Sequence, residues 1–181
     1  MEYQEFIKSK QIVVSPSGFE IDPATINPML FEFQRDIVHW TLRKGKAACF
    51  LDCGLGKTPI QLEWASQVVQ NTGGNVLILA PLAVAAQTAR EGEKFGVHVT
   101  VCRTADDLRP GINIVNYERL HYFTPDYFSG IVLDESSILK AFGGQLRKEI
   151  TEFASTIPYR LAATATPAPN DLIELTNHAE F

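Results

Sequence analysis

The stretch FLDCGLGKTPIQLEW, Phe50 to Trp64, passes from an apolar run through a glycine-rich turn into a helical pattern. The run AACFL (47–51) reads as a buried strand leading straight into Asp52, Cys53, Gly54, Leu55, Gly56, Lys57 and Thr58. Pro59 follows where a first-turn proline costs a helix nothing. Ile60, Leu62, Ala65, Val68 and Val69 then supply an apolar helix face, closed by Asn71-Thr72-Gly73-Gly74. Strand, glycine loop and helix in this order can cradle a phosphate. The glycines let successive backbone N–H groups point into one concavity, and the helix N-terminus adds partial positive charge. In such a cradle Lys57 reaches the β- and γ-phosphates of a nucleotide, and the Thr58 hydroxyl ligates Mg²⁺. One position departs from the general pattern G-x-x-x-x-G-K-[ST]: Leu51 stands where the first glycine belongs. Taken alone, the stretch also fits a glycine turn carrying a surface lysine.

Working outward, short apolar runs alternate with helical segments. The runs are AACFL (47–51), NVLILA (75–80), VHVTVC (97–102), INIVN (112–116), GIVLD (130–134) and YRLAAT (159–164). Several are nearly continuous in aliphatic residues, as strands covered on both faces are. Stretches around 59–71, 82–95 and 143–156 carry helix-length apolar periodicity. Before the loop, from Pro28, Leu30, Phe33, Ile37, Trp40 and Thr41 recur at three- and four-residue steps, a helical pattern ending near Gly45. This alternation predicts an α/β fold, an open and mainly parallel sheet flanked by helices in three layers. Ligands bind such sheets at the carboxyl ends of strands, beside a topological switch. Residues 1–27 read as an adjunct with a short polar helix near Tyr3–Lys10, and residues 28–181 as the domain proper.

A phosphate loop needs an acidic partner. Ile131-Val132-Leu133 followed by Asp134-Glu135 supplies one: Asp134 would hold magnesium through its water shell, and Glu135 would orient or deprotonate an attacking water. Three aliphatic residues before Asp-Glu also describe an ordinary strand end that caps a helix, so the pairing with Gly54–Thr58 carries the reading. Lys57, Asp134 and Glu135 are therefore the candidate catalytic residues. A small-molecule kinase shares the loop, but no segment here supplies an acceptor pocket.

The bulk properties narrow the classes. No run approaches the roughly 18 apolar residues of a membrane helix, and MEYQEFIKSKQ lacks the layout of a secretory signal. Cys49, Cys53 and Cys102 form no metal-binding cluster, which fits free thiols in a reducing cytoplasm. The net charge of −5 gives no basic footprint and argues against a protein that simply coats DNA. A motor that grips phosphates through a few amides and side chains remains compatible with it.

The order of these motifs resembles the first RecA-like motor lobe of the superfamily 2 helicases and translocases. DCGLGKT resembles the D-E-x-G-L-G-K-T loop of the Swi/Snf-type ATPases. DESSILK resembles their acidic segment, with Ser136 and Ser137 where DEAH-type proteins carry Ala and His. LAATATPAPNDLIEL (161–175) is similar to the family's L-T-G-T-P-x-x-N-x-x-x-E-L, including Asn170, Glu174 and Leu175. LFEFQRD (30–36) resembles the L-x-x-Y-Q segment whose glutamine reads adenine; ILAPLAVAAQTARE (78–91) and INIVNYERL (112–120) look like the intermediate motifs. The match runs in order from Leu30 to Leu175.

The resemblance implies ATP and Mg²⁺ as cofactors, with Gln34 reading adenine and Thr164, Ala165 and Thr166 passing the nucleotide state to a nucleic-acid face. Pro81, Gln87, Arg90, Tyr117 and Lys140 become candidate contacts on that face, and Phe19 either stacks on adenine or packs. DNA, double-stranded rather than single, is the implied partner, with RNA also open. The chain ends at Phe181, soon after the TAT segment, so the resemblance also implies a first lobe working with a second one. Alone, such a lobe would bind ATP–Mg²⁺ weakly and hydrolyse it little, because an arginine from the second lobe is worth about a thousandfold in rate. The competing reading is a module that holds nucleotide without turnover.

Overall fold

A computed structural model describes residues 15–141, 144–168 and 175–181. The expected helix at Tyr3–Lys10 and the motif residues Asn170 and Glu174 lie outside the described residues. Six strands form one sheet: β1 (Lys46–Phe50), β2 (Asn75–Ala80), β3 (Val99–Val101), β4 (Ile112–Asn116), β5 (Phe128–Asp134) and β6 (Tyr159–Thr164). Their spatial order is β1-β6-β5-β2-β4-β3, and every pairing is parallel. The helices are α1 (Glu32–Lys44), α2 (Lys57–Thr72), α3 (Ala85–Lys94), α4 (Ile138–Ala141), α5 (Gln145–Ala154) and α6 (Leu175–Glu180).

The strand sequences explain why both faces are covered. Successive side chains alternate faces, so Val76, Ile78 and Ala80 of β2 enter one core while Leu77 and Leu79 enter the other. The first core joins Val38 and Leu42 of α1 to Ile60, Leu62, Trp64 and Val68 of α2. The second joins Ile131 and Leu133 of β5 to Leu139 of α4, Ile150 of α5 and Phe181. Truncating a leucine such as Leu77 to alanine in a core of this kind costs about 2–5 kcal/mol. The result is three layers, as the alternation predicts.

The helix expected to end near Gly45 forms, with Gly45 as its C-cap, and one strand is shorter than its apolar run. The buried face of α1 is Gln34, Val38, Thr41 and Leu42, while Phe33 and Trp40 are exposed. Of the recurring residues, Leu30 and Thr41 are buried and Ile37 is half-buried, and a polar residue, Gln34, belongs to the inner stripe. Strand β3 is also shorter than the run 97–102. The Val97 amide donates to the Gly92 carbonyl at 2.8 Å to close α3, and so is lost to the sheet.

The described part of the adjunct is bonded to the domain. Ser17, Gly18 and Phe19 donate backbone N–H groups to the last-turn carbonyls of Lys44, Arg43 and Leu42, each at 3.2 Å. A Cβ on Gly18 would lie 1.7 Å from the Leu42 oxygen, so only glycine allows this approach. Further on, the buried Glu63 accepts from the Asn27 amide and from Gln67, whose side chain also donates to the Thr25 carbonyl. Phe19 packs edge-on against Tyr159, with ring centroids 5.2 Å apart, which fits packing rather than adenine stacking.

Candidate nucleotide site

The sheet order brings the chemistry together. In sequence β1 and β5 are far apart, but only β6 separates them in space, and register aligns their carboxyl ends: Phe50 with Thr164, and Asp134 with Ala163. Strand neighbours are about 4.8 Å apart, so the glycine loop and the Asp-Glu pair open side by side above β6. Pairing continues one residue into the loop, where the Leu51 amide donates to the Thr164 carbonyl at 3.1 Å.

The loop is held open by glycine and by its own lysine. Gly54 and Gly56 have φ of 82° and 77°, the left-handed region that a residue with a Cβ rarely adopts. At Gly56 a Cβ would also sit 2.3 Å from the Gln34 side-chain nitrogen, so that amide would have to move. The Lys57 ammonium donates to the carbonyls of Leu51 at 3.1 Å and Asp52 at 3.3 Å, capping the strand end. Asp52 Oδ1 in turn accepts from the Cys53 amide at 2.7 Å. Cys53 and Leu55 are exposed, and Thr58 is half-buried in the first turn of α2. Cys49, beneath the loop, is a buried thiol pushed up to about 11 by desolvation against the opposing charge of Lys57, so it stays protonated.

Gln34 couples α1 to the loop. Its Oε1 accepts from the Phe31 amide at 3.0 Å, and its Nε2 donates to the Leu55 carbonyl at 3.1 Å. Gln34 is only 5% exposed, so both bonds are made in the interior and tie the helix start to the loop. Phe31, which the sequence reading did not single out, is 71% exposed three residues upstream. Its signal was available: an aromatic at a helix N-cap is turned away from the core that the helix buries.

The acidic pair is built under strain. Burial pushes the Asp134 carboxyl above the usual carboxylate range, with the Glu135 charge adding to it, while the Gln61 hydrogen bond and Lys57 pull it down. Glu135 has φ of 60°, the only positive φ outside glycine among the described residues, and a left-handed residue costs about 1–2 kcal/mol. That turn sends Ser136 under the sheet, where its amide donates to the Ala163 carbonyl at 2.8 Å. It also presents Glu135 Oε1 to two hydroxyls, Thr164 Oγ1 and Ser137 Oγ. Thr164 Oγ1 accepts from the Thr166 amide at 3.0 Å, and Ala165 is half-buried between them. Thr164 is thus bonded on one side to the loop strand and on the other to the acid.

The donor set suits magnesium. Among the described residues no group of three or more His, Cys, Asp or Glu is placed to hold a metal. One buried carboxylate and a threonine hydroxyl at a phosphate loop match the way Mg²⁺ is held, by few protein ligands together with phosphates and water.

The residues expected on a nucleic-acid face divide. Pro81 follows the last residue of β2, and its carbonyl accepts from the Val84 amide at 2.9 Å, opening the turn into α3. Gln87 and Arg90 are exposed on α3, Gln87 donating to Glu91 at 3.0 Å. The backbone of Lys140 lies in α4, and its side chain is outside the described residues. Tyr117 corrects the expectation. It is 1% exposed, and its hydroxyl donates to the Asp134 carbonyl at 2.7 Å. It supports the acidic strand end instead of meeting a ligand, because the 3-10 turn after β4 folds it beneath the sheet edge.

No protein-family model and no curated protein sequence matches the chain. Solved structures do. The SWI2/SNF2 ATPase core of Sulfolobus solfataricus in complex with double-stranded DNA superposes with a TM-score of 0.70 at 22% identity, over 88% of this chain and 37% of that one. The UvsW helicase of bacteriophage T4 gives 0.67 at 16% identity, over 98% and 65%. The Hef helicase domain of Pyrococcus furiosus gives 0.66 at 19% identity, over 88% and 38%. The fold is therefore the three-layer, parallel-sheet α/β fold that these neighbours share. The chain spans between 37% and 65% of the length of these neighbours. No described helix is long and apolar enough to cross a membrane.

Proposed function

We propose that this chain is the ATP-binding lobe of a DNA-dependent ATPase, a helicase or duplex translocase that couples ATP hydrolysis to movement on nucleic acid. The observation that carries the reading is the meeting of Lys57, Thr164, Asp134 and Glu135 at the carboxyl ends of β1, β6 and β5, where ligands of parallel sheets bind. The amides of Gly54–Lys57 would grip the triphosphate, Lys57 exchanging the carbonyls of Leu51 and Asp52 for phosphate oxygens. Thr58 and Asp134 would hold Mg²⁺, which neutralises charge developing on the phosphates. Glu135 would orient the attacking water and take its proton, with Oε1 fixed by Thr164 and Ser137.

Movement needs a second surface and a second lobe. Pro81, Gln87, Arg90 and Lys140 are proposed to meet DNA phosphates, and a second RecA-like lobe is proposed to close against the site. Double-stranded DNA is favoured because the neighbour from Sulfolobus solfataricus is in complex with it; RNA is the alternative substrate. The three free cysteines accord with a reducing cytoplasm.

Substituting Glu135→Gln in the full-length protein tests this. An ATPase should retain ATP and lose turnover by about 10²–10⁴-fold, the usual share of a general base. Unchanged turnover would remove Glu135 from the mechanism. A wild-type protein that binds ATP without hydrolysing it, with or without DNA, would show a nucleotide-holding module instead.

A further inference from the structure

Gln61 lies one turn beyond Lys57 on α2 and is 1% exposed, yet nothing in the sequence reading separated it from the apolar helix face around it. Its Nε2 donates to Asp134 Oδ1 at 2.9 Å. An ionised carboxylate only accepts hydrogen bonds, so the amide nitrogen must face it and the amide oxygen must face elsewhere. That oxygen, Gln61 Oε1, is buried and has no hydrogen-bond partner. Folded chains seldom leave a buried acceptor unmatched, and a specific exception asks for a partner that the protein itself does not supply.

The next buried amide along the same helix shows the contrast. Gln67 donates to Glu63 at 2.8 Å and to the Thr25 carbonyl at 3.2 Å, bonds that tie the N-terminal segment down. Gln61 faces the other end of α2, where the phosphate loop begins. The Gln61 Oε1 belongs to an amide whose nitrogen is already bonded to the acid of the site.

We propose that Gln61 is a positioning residue for the metal, resting on the nucleotide reading given above. Through Nε2 it fixes the Asp134 carboxylate to the helix that carries Lys57 and Thr58. Through Oε1 it accepts a hydrogen bond from a water in the hydration shell of the bound Mg²⁺. Magnesium dehydrates reluctantly and keeps several waters, each a strong donor that needs an acceptor. One carboxylate supplies few, and an orphaned amide oxygen beside it supplies another. Outer-sphere partners of this kind typically change metal affinity by about 10–100-fold when removed.

The test uses Mn²⁺, read by electron paramagnetic resonance, and a non-hydrolysable ATP analogue with the full-length protein. Gln61→Met keeps the length and removes both polar atoms. It should weaken Mn²⁺ uptake into the nucleotide complex by about tenfold or more, while metal-free binding of the analogue stays within about twofold. Equal Mn²⁺ affinity in folded wild type and variant overturns the proposal and leaves the nucleotide reading standing. Failure of the wild type to take up the metal–nucleotide complex overturns both. Should the variant not fold, the side-chain amide resonance of ¹⁵N-labelled Gln61 in the wild type decides the matter. It should move when Mg²⁺ joins the bound analogue, and an unmoved resonance overturns the proposal.

Discussion

Two polar clusters sit on the same sheet and are built on opposite rules. Around β3 and β4, the fully buried Asn113 is saturated: its Oδ1 accepts from Cys102 Sγ and from the Arg109 amide, and its Nδ2 donates to the carbonyls of Arg109 and Gly111. Nearby Asp107 is held below the usual carboxylate range by the amides of Arg103 and Thr104. At the ends of β1, β5 and β6 the accounts stay open. Gln61 has an unmatched oxygen, Asp134 is raised by burial, and Glu135 occupies a left-handed turn. A saturated network fixes a chain path. An unsaturated and strained one is kept where something else is to bind.

The largest expected effect separates the two clusters by activity. Glu135→Gln should cut ATP turnover by about 10²–10⁴-fold with the fold intact. Asn113→Leu should leave turnover per folded molecule unchanged. A loss of turnover at Asn113 comparable to that at Glu135 would break the contrast. Steady-state hydrolysis normalised to folded protein measures both.

Stability should invert the ranking. Asn113→Leu strands the Arg109 amide, two carbonyls and a thiol. Its cost should be about 2–3 kcal/mol, or roughly 5–10 °C in Tm for a chain of this size. Glu135→Gln should move Tm little. Between them stands Gly56→Ala, which combines a left-handed φ with a Cβ placed against Gln34. Its penalty should be about 1–2 kcal/mol, and nucleotide affinity should fall with it as the loop shifts. Thermal unfolding and nucleotide titration of the same samples would show whether stability and binding are lost together.

The saturated cluster was invisible in the sequence and the strained one was largely legible, for a physical reason. Phosphate chemistry demands glycines, a lysine and a carboxylate pair at fixed places, so Gly54–Thr58 and Asp134-Glu135 announce themselves. The strands were equally plain, because burial on both faces leaves continuous aliphatic runs. Amides that serve by completing a network carry no such mark. Gln61 sits among apolar neighbours on α2 with its partner distant in sequence, and Asn113 interrupts an apolar strand and is saturated by the turn just before it. The same blindness misplaced Tyr117, whose one hydrogen bond reaches Asp134 from another strand.

The smallest effects are the sharpest, because the two clusters predict opposite signs. The folded chain binds the Asp134 proton more tightly than the unfolded chain does. Its stabilising share is therefore fully present below the ordinary value of 3.8 and is lost as pH rises through the elevated folded value. Because that share shrinks as pH rises, Asp134→Asn should raise the Tm of the nucleotide-free protein at pH 7. That gain should shrink as pH falls towards 3.8 and the wild-type acid becomes neutral as well. Asp107 runs the other way. Its depressed value gives a stabilising share that is present above 3.8 and lost as pH falls through the folded value, so Asp107→Asn should lower Tm at pH 7. Magnesium and nucleotide should then narrow the gap between wild type and Asp134→Asn, because ligand binding stabilises only the protein that can take it up. They should leave the Asp107→Asn difference unchanged. If Asp134→Asn lowered the Tm of the free protein at pH 7, its carboxylate would be an ordinary structural partner, and the contrast between the two ends of the sheet would disappear.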